Sequence, residues 1–131
     1  MTDCLFCAIV AGDIPSRQVY SDDTAIAFLD IGPWQRGHTL VIPRRHVVSL
    51  VEDPSVWGDL QAAIENVVPR LVDTLGAAGL NVISSAGAAA GQEVFHAHVH
   101  LVPRYEDAPG LSNLTRGDSS DLDDVHRQIT A

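Results

Sequence analysis

The longest regular pattern in the chain is an apolar repeat at spacings of three and four between residues 56 and 75, and it predicts a long amphipathic helix. Asp53 is the expected N-cap, Pro54 suits the first turn, and Gly76 ends the pattern. Pro69 lies inside the repeat, where it is expected to kink or split the helix. Shorter apolar segments predict a helix at residues 4–11 and a second one around residues 122–129.

Alternation of apolar and polar positions predicts five strands. Four are expected at residues 17–21, 24–31, 38–42 and 80–85, and the fifth carries three histidines between residues 94 and 104. Short connections and one long helix indicate an α+β fold, in which a five-stranded, mainly antiparallel sheet is covered by the long helix and flanked by short terminal helices. The expected division of the chain is a folded domain at residues 1–110 and a C-terminal tail at residues 111–131.

Composition and charge restrict the classes of function. A chain of 131 residues suits one domain, and its net charge of −9 argues against a protein that binds nucleic acid by neutralising phosphates. All eight basic residues are arginine, which excludes a lysine nucleophile and the lysine-containing phosphate loop. No apolar run approaches the roughly 18 residues of a membrane span, and the first residues do not resemble a signal peptide. We therefore expect a cytoplasmic protein with neither a membrane nor a nucleic-acid partner.

Three histidines at alternating positions, His96, His98 and His100, are the main candidates for chemistry. On one strand their rings share a face, while the apolar side chains between them face the core. Two interpretations remain open from the residues alone. The imidazoles could hold a catalytic metal ion, or one Nε2 could attack phosphorus while its Nδ1–H is held by an acceptor. Cys4 and Cys7 form a C-x-x-C pair, which is typical of half a metal site or of a redox pair.

Short motifs around these histidines occur in a characteristic order. They are Cys4-Leu5-Phe6-Cys7, GDIP at residues 12–15, AFLDI at 27–31, GHTLVIPRRH at 37–46, and Gly91-Gln92 ahead of the triad. Together they cover nearly the whole chain and resemble the histidine triad (HIT) family, in particular its bacterial zinc-containing Hint-like branch.

The resemblance implies an activity and three catalytic residues. The implied enzyme is a nucleotide hydrolase or nucleotidyl transferase that acts at the α-phosphate of a purine nucleotide derivative, a phosphoramidate or an anhydride, through a nucleotidyl-histidine intermediate. His98 corresponds to the nucleophile, His100 to a donor for a phosphate oxygen, and His38 to a supporting group. The alternatives are a nucleotide-binding regulatory module with little turnover and a metalloenzyme centred on the triad.

The resemblance also implies a set of substrate-binding residues. Asp30 corresponds to the carboxylate that binds the ribose hydroxyls, and Phe6, Phe28 and Ile31 belong to the apolar slot for the base. The remaining positions, near the ribose and phosphate, are Ser85, Gly91, Gln92 and Glu93. Glu93 and Ser85 depart from the family pattern, which usually has a serine and an asparagine there. A carboxylate at position 93 is expected to repel an anionic substrate.

A metal site and an assembly follow from the same resemblance. Cys4, Cys7, His46 and His96 correspond to the four ligands of a structural zinc ion, one per chain, with no open coordination position. The apolar face of the long helix and the family precedent together imply a homodimer.

Overall fold

The computed structural model describes residues 3–111, 114 and 116–131. Within these residues, three α-helices and five strands follow in the order α1 (Leu5–Ala11), β1 (Gln18–Ser21), β2 (Ala25–Leu29), β3 (Thr39–Pro43), α2 (Val56–Leu75), β4 (Gly79–Ile83), β5 (Val99–Arg104) and α3 (Leu122–Thr130). The strands form one sheet in the order β1-β2-β3-β5-β4, and every neighbouring pair is antiparallel. The predicted α+β fold is confirmed.

Each face of the sheet is covered by a different helix. Alternation along β2 directs Ala25 and Ala27 towards α2, while Ile26 and Phe28 pack with α1 on the opposite face. The α2 side holds the larger cluster, whose buried residues are Ala25, Ala27, Val41, Leu60, Ala63, Val67, Leu71, Val99 and Leu101. The histidine sites lie on the other face, which the short helix α1 covers only in part.

The regular helix begins later than predicted. It starts at Val56, and Ser55 at its N-cap position makes no side-chain cap bond. The predicted cap, Asp53, lies two residues before Ser55, where its carboxylate accepts from the backbone N–H and the hydroxyl of Ser55 and pairs with Arg45 at 2.9 Å. Pro69 lies within the helix without splitting it, and the expected kink stays a prediction. Five residues of α2 are buried, which indicates that packing against the sheet outweighs the missing proline hydrogen bond.

The histidine strand is shorter than predicted. β5 begins only at Val99, so His96 and His98 precede it. The Ala97 N–H donates to the carbonyl of Val47, at 2.6 Å, and this bond ties the segment to the connection after β3 rather than to the sheet ladder. Val99 and Leu101 face the core as predicted, and His100 lies on the α1 face opposite Leu40.

Gly37 brings the start of β3 close to the end of α2. Its φ of +86° favours glycine, and a Cβ there would lie 2.5 Å from the Cδ1 atom of Leu75. This close approach fixes where His38, the next residue, enters the site.

No helix in the described part of the chain has the length and apolarity to cross a bilayer. The cytoplasmic location stays a prediction.

Candidate active site

Strand register gathers the functional side chains at one end of the sheet. Leu40 is the register partner of both Phe28 and His100, so these three side chains point to the same face. Two residues further on, the Asp30 N–H donates to the carbonyl of His38 at 3.0 Å. The Asp30 carboxylate, just after β2, therefore meets the imidazoles of His38, just before β3, and of His100, near the start of β5. The nearest nitrogen and oxygen atoms of the three side chains lie within 4.8 Å of one another.

The ring of His98 is held in a single orientation. Its Nδ1 lies 2.7 Å from the carbonyl oxygen of His96, and because a carbonyl only accepts, Nδ1 carries the proton. Burial lowers the pKa of His98, and its ring makes an edge contact with Phe6 at a centroid distance of 5.2 Å. A neutral ring protonated at Nδ1 has a lone pair on Nε2, and nucleophilic attack requires such a lone pair.

A chain of hydrogen bonds sets the proton positions of His38 and His100. The Trp34 backbone N–H donates to Nδ1 of His38 at 3.1 Å, so the proton of His38 is on Nε2. That Nε2 lies 2.9 Å from Nδ1 of His100, which must accept, and the proton of His100 is therefore on its own Nε2. Burial lowers the pKa of His38 and lowers that of His100 to about 4. His100 is consequently a neutral donor near pH 7.

Sequence analysis did not identify two contributors to this arrangement. The Trp34 indole stacks on the rings of His38 and His100 at centroid distances of 4.8 and 4.7 Å. The Ser84 hydroxyl donates to the carbonyl of His98 at 2.8 Å. A loop tryptophan and a serine at a strand end carry no sequence signal for these roles, although the spacing of four residues between Trp34 and His38 was visible.

His98 and His100 open onto a cavity of about 350 Å³, and an apolar groove of about 250 Å³ adjoins it. Phe6, Asp30, Leu40 and Val94 line both spaces, so the cavity and the groove share a wall. All of the substrate-binding candidates line one or both: Phe6, Phe28, Asp30, Ile31, Ser85, Gly91, Gln92 and Glu93. A larger cavity of about 570 Å³ lies between α2 and β1, away from the histidines.

The loop before the triad uses its backbone N–H groups internally. Gly91 and Gln92, which the family resemblance places near the ribose and phosphate, donate their N–H groups to the carbonyls of Ala88 and Gly87. The buried Gln92 side chain holds the loop in place: its oxygen accepts from the Gly87 N–H, and its amide donates to the carbonyls of Val94 and of Val48, which follows β3. Both residues border the cavity, and their part in binding substrate stays a prediction.

Cys4, Cys7, His46 and His96 form a second group, whose ligand atoms lie within 4.8 Å of one another. The Nδ1 atoms of the two histidines are 3.3 Å apart, and Cys7 Sγ lies 3.2 and 3.5 Å from them. Zinc–ligand bonds of about 2.0 Å to nitrogen and about 2.3 Å to sulfur in a tetrahedron require N–N and S–N separations of about 3.3 and 3.5 Å. The group is therefore compatible with zinc.

The surroundings of this group favour a metal ligand at His96. Its Nε2 lies 2.9 Å from the Pro43 carbonyl and must donate there, which leaves the Nδ1 lone pair directed at the cysteines. Such an outer hydrogen bond is a usual feature of metal-ligating histidines.

Asp30, His38 and His100 are also close enough together to hold a metal ion. A metal ion on Nε2 of His38 would displace its proton while Nδ1 still accepts from Trp34, leaving the ring with no proton. This proton arrangement argues against a metalloenzyme centred on these residues.

The fold and the site define an α+β protein with buried, neutral histidines at the mouth of a cavity beside an apolar groove. The family model for the HIT domain matches residues 11–107. The chain belongs to the HIT family.

Two similar proteins each match nearly all of this chain. An uncharacterised HIT-like protein of Methanocaldococcus jannaschii is 39% identical over 96% of this chain and 98% of its own length. The adenylylsulfatase HINT3 of Arabidopsis thaliana is 36% identical over 98% of this chain and 66% of its own length.

Solved structures agree with the fold. SMU.412c from Streptococcus mutans superimposes with a TM-score of 0.87 at 43% identity, over 99% of this chain and 83% of that one. A histidine triad nucleotide-binding protein from Candida albicans gives a TM-score of 0.80 at 28% identity, over 98% of this chain and 93% of that one. These likenesses support a protein that binds or hydrolyses nucleotides.

The depressed pKa of His100 predicts a pH dependence. Between pH 6.5 and about 4 the unfolded chain binds a proton at this residue while the folded protein does not. The free energy of unfolding should therefore fall as the pH falls through that range. We expect imidazole ¹⁵N NMR to show a neutral His100 ring, protonated on Nε2, down to about pH 4. A ring that titrates near 6.5 in the folded protein, or one protonated on Nδ1, would contradict the hydrogen-bond chain.

Proposed function

We propose that this protein is a nucleotide hydrolase or nucleotidyl transferase acting at the α-phosphate of a purine nucleotide derivative, a phosphoramidate or an anhydride. The observation that carries the proposal is the hydrogen bond of 2.7 Å from His98 Nδ1 to the His96 carbonyl. With the proton on Nδ1, Nε2 keeps a lone pair, and His98 lines the cavity. The name of the Arabidopsis relative, an adenylylsulfatase, supports a reaction at a nucleotide phosphorus.

The two adjoining spaces suit the parts of a nucleotide. The apolar groove, lined in part by Phe6, Phe28 and Ile31, would take the base. Asp30 lies where groove and cavity overlap and is only partly buried, so its carboxylate is available to the ribose hydroxyls. The α-phosphate would then lie against His98 and His100. The apolar side chains that line the groove do not distinguish a purine from another base. The purine preference rests on the family resemblance.

The reaction would proceed in two displacements. Nε2 of His98 forms a bond to phosphorus while the bond to the leaving group breaks, and the leaving group departs with the electron pair. An amine leaving group also takes up a proton from solvent, whereas the leaving group of an anhydride departs as an anion. The ring becomes cationic, and the His96 carbonyl stabilises that charge through Nδ1–H. Water then attacks phosphorus and loses a proton to solvent, the phosphorus–nitrogen bond breaks, and the nucleoside monophosphate leaves with a neutral His98. A second acceptor in place of water would make the reaction a transfer.

His100 and His38 would assist both steps. The chain from Trp34 through His38 directs the Nε2–H of His100 outward, where it can donate to a non-bridging phosphate oxygen. A donor already oriented towards developing negative charge typically contributes a few kcal/mol to transition-state stabilisation.

A structural zinc ion, one per chain, completes the proposal. Cys4, Cys7, His46 and His96 would hold it, joining α1 to the segment after β3 and to the residues before β5. All four positions are protein ligands, so the ion would support the fold rather than take part in the reaction. The proposed catalytic unit is residues 1–110, with residues 111–131 as a tail that includes α3.

His98→Ala should abolish turnover of adenosine 5′-phosphoramidate, because no other group in the proposal attacks phosphorus. We expect kcat/KM to fall by at least about 1,000-fold, while His126→Ala, on the exposed helix α3, leaves it unchanged. Release of AMP, followed by chromatography, is the measurement. Turnover retained in His98→Ala would overturn the mechanism, and tight AMP binding by a wild-type protein with negligible turnover would favour the regulatory alternative.

Metal analysis of the purified protein should give about one zinc per chain. Cys7→Ser should lose most of this zinc and lower the thermal midpoint by at least about 5 °C, because metal binding stabilises only the folded state. His98→Ala is the matched control and should retain its zinc. A wild-type protein without zinc whose midpoint is unaffected by chelation would remove the metal from the proposal.

The protein should behave as a homodimer in solution. Trp57 and Val72 on α2 and Val82 on the edge strand β4 are large apolar side chains that the single chain leaves exposed. Light scattering is expected to give twice the 14.0 kDa mass of one chain at micromolar concentration. A mass of one chain across the concentration range would exclude the dimer.

A further inference from the structure

The charge inside the histidine cavity is unusual for a site that binds a phosphate. Among its lining residues the charged side chains are Asp30 and Glu93, and none is lysine or arginine. Burial lowers the pKa of His100, which also lines the cavity, to about 4, so this ring is neutral near pH 7. The cavity thus presents two carboxylates and no permanent positive charge, whereas phosphate sites commonly use arginine or lysine.

The two carboxylates belong to different parts of the substrate. Asp30 lines both the cavity and the apolar groove, so it lies on the nucleoside side. Glu93 lines the cavity but not the groove, and its side chain is exposed to solvent. With a base in the groove and the α-phosphate against His98, the part of the cavity that remains is the place of the leaving group.

A leaving group with negative charge would meet an unfavourable field there. A sulfate or a further phosphate adds charge beside the α-phosphate and the Glu93 carboxylate, with no cation in the lining to compensate. An ammonium group would instead be attracted to the carboxylate. It would also find the Trp34 indole, which lines the same cavity and is 55% exposed, and aromatic faces attract cations.

We propose that Glu93 makes the leaving-group end of this cavity selective for leaving groups that carry positive charge, such as amines with a second, protonated amino group. This inference rests on the proposed function, since it concerns the leaving group of that reaction. The charge of one exposed carboxylate is worth at most about a fivefold effect per contact, so the selectivity should be moderate and should weaken with salt.

The experiment uses three adenosine 5′-phosphoramidates that share the phosphorus–nitrogen bond and differ at the far end of a three-carbon amine. That end carries an ammonium, a methyl or a carboxylate group. We expect kcat/KM of the wild-type protein to follow the order ammonium, methyl, carboxylate, with steps of about three- to fivefold at low salt. Because the reacting bond is the same, the ratio between substrates reports the distal charge.

Glu93→Gln should reduce the ammonium-to-carboxylate ratio towards one, since it removes the charge and keeps the shape of the side chain. Glu65→Gln is the matched control, because it makes the same change in net charge on the exposed surface of α2, where Glu65 accepts from Gln61. The control should keep the wild-type ratio. A ratio reduced equally by both variants would indicate a long-range effect of net charge and would overturn the assignment to Glu93.

The outcomes separate this inference from the proposed function. If the wild-type protein turns over all three compounds at equal kcat/KM, the charge selectivity is wrong and the proposed reaction stands. If it turns over none of them, the proposed phosphoramidate reaction fails and the selectivity fails with it. A preference for the ammonium compound that disappears in Glu93→Gln and persists in Glu65→Gln would support the proposal.

Discussion

The hydrogen bond from the His98 ring to the main-chain carbonyl of His96 is the contact on which the site depends. At 2.7 Å it determines which nitrogen carries the proton, and burial favours the neutral ring. A backbone carbonyl is a suitable partner because it accepts at every pH, unlike a carboxylate that can be protonated. His96 and His98 both precede β5. Between them, the Ala97 N–H donates to the Val47 carbonyl and not to a neighbouring strand.

His96 serves two centres through different atoms. Its side chain belongs to the Cys/His group, and its carbonyl orients the proposed nucleophile. Any change that rotates this residue, including disturbance of its bond to the Pro43 carbonyl, would be felt at His98. The geometry therefore places the Cys/His group, with Cys4 at the N-cap of α1 and Cys7 within it, directly beside the proposed nucleophile.

The fold and the residues near the site were largely visible in the sequence, but their interactions were not. Alternation along the histidine strand predicted correctly that Val99 and Leu101 face the core, because that face of β5 is buried against α2. Periodicity could not show that Asp53 would also pair with Arg45, since that contact depends on a residue outside the helix. It also could not show that Gly91 and Gln92 would use their N–H groups within their own loop. The stacking of Trp34 on two imidazoles arises from tertiary packing, for which local patterns carry no information.

The buried amide of Gln92 has a consequence for ligand affinity. It joins the loop at Gly87 to the carbonyls of Val48 and Val94, so one wall of the cavity is ordered when the chain folds. A loop that is ordered in advance loses little conformational freedom when a ligand arrives, and this loss is a main opposing term in association. By composition alone, the glycine-containing segment at residues 86–92 would be a flexible connector. Because Gln92 fixes it, the segment loses its conformational entropy during folding and not during binding.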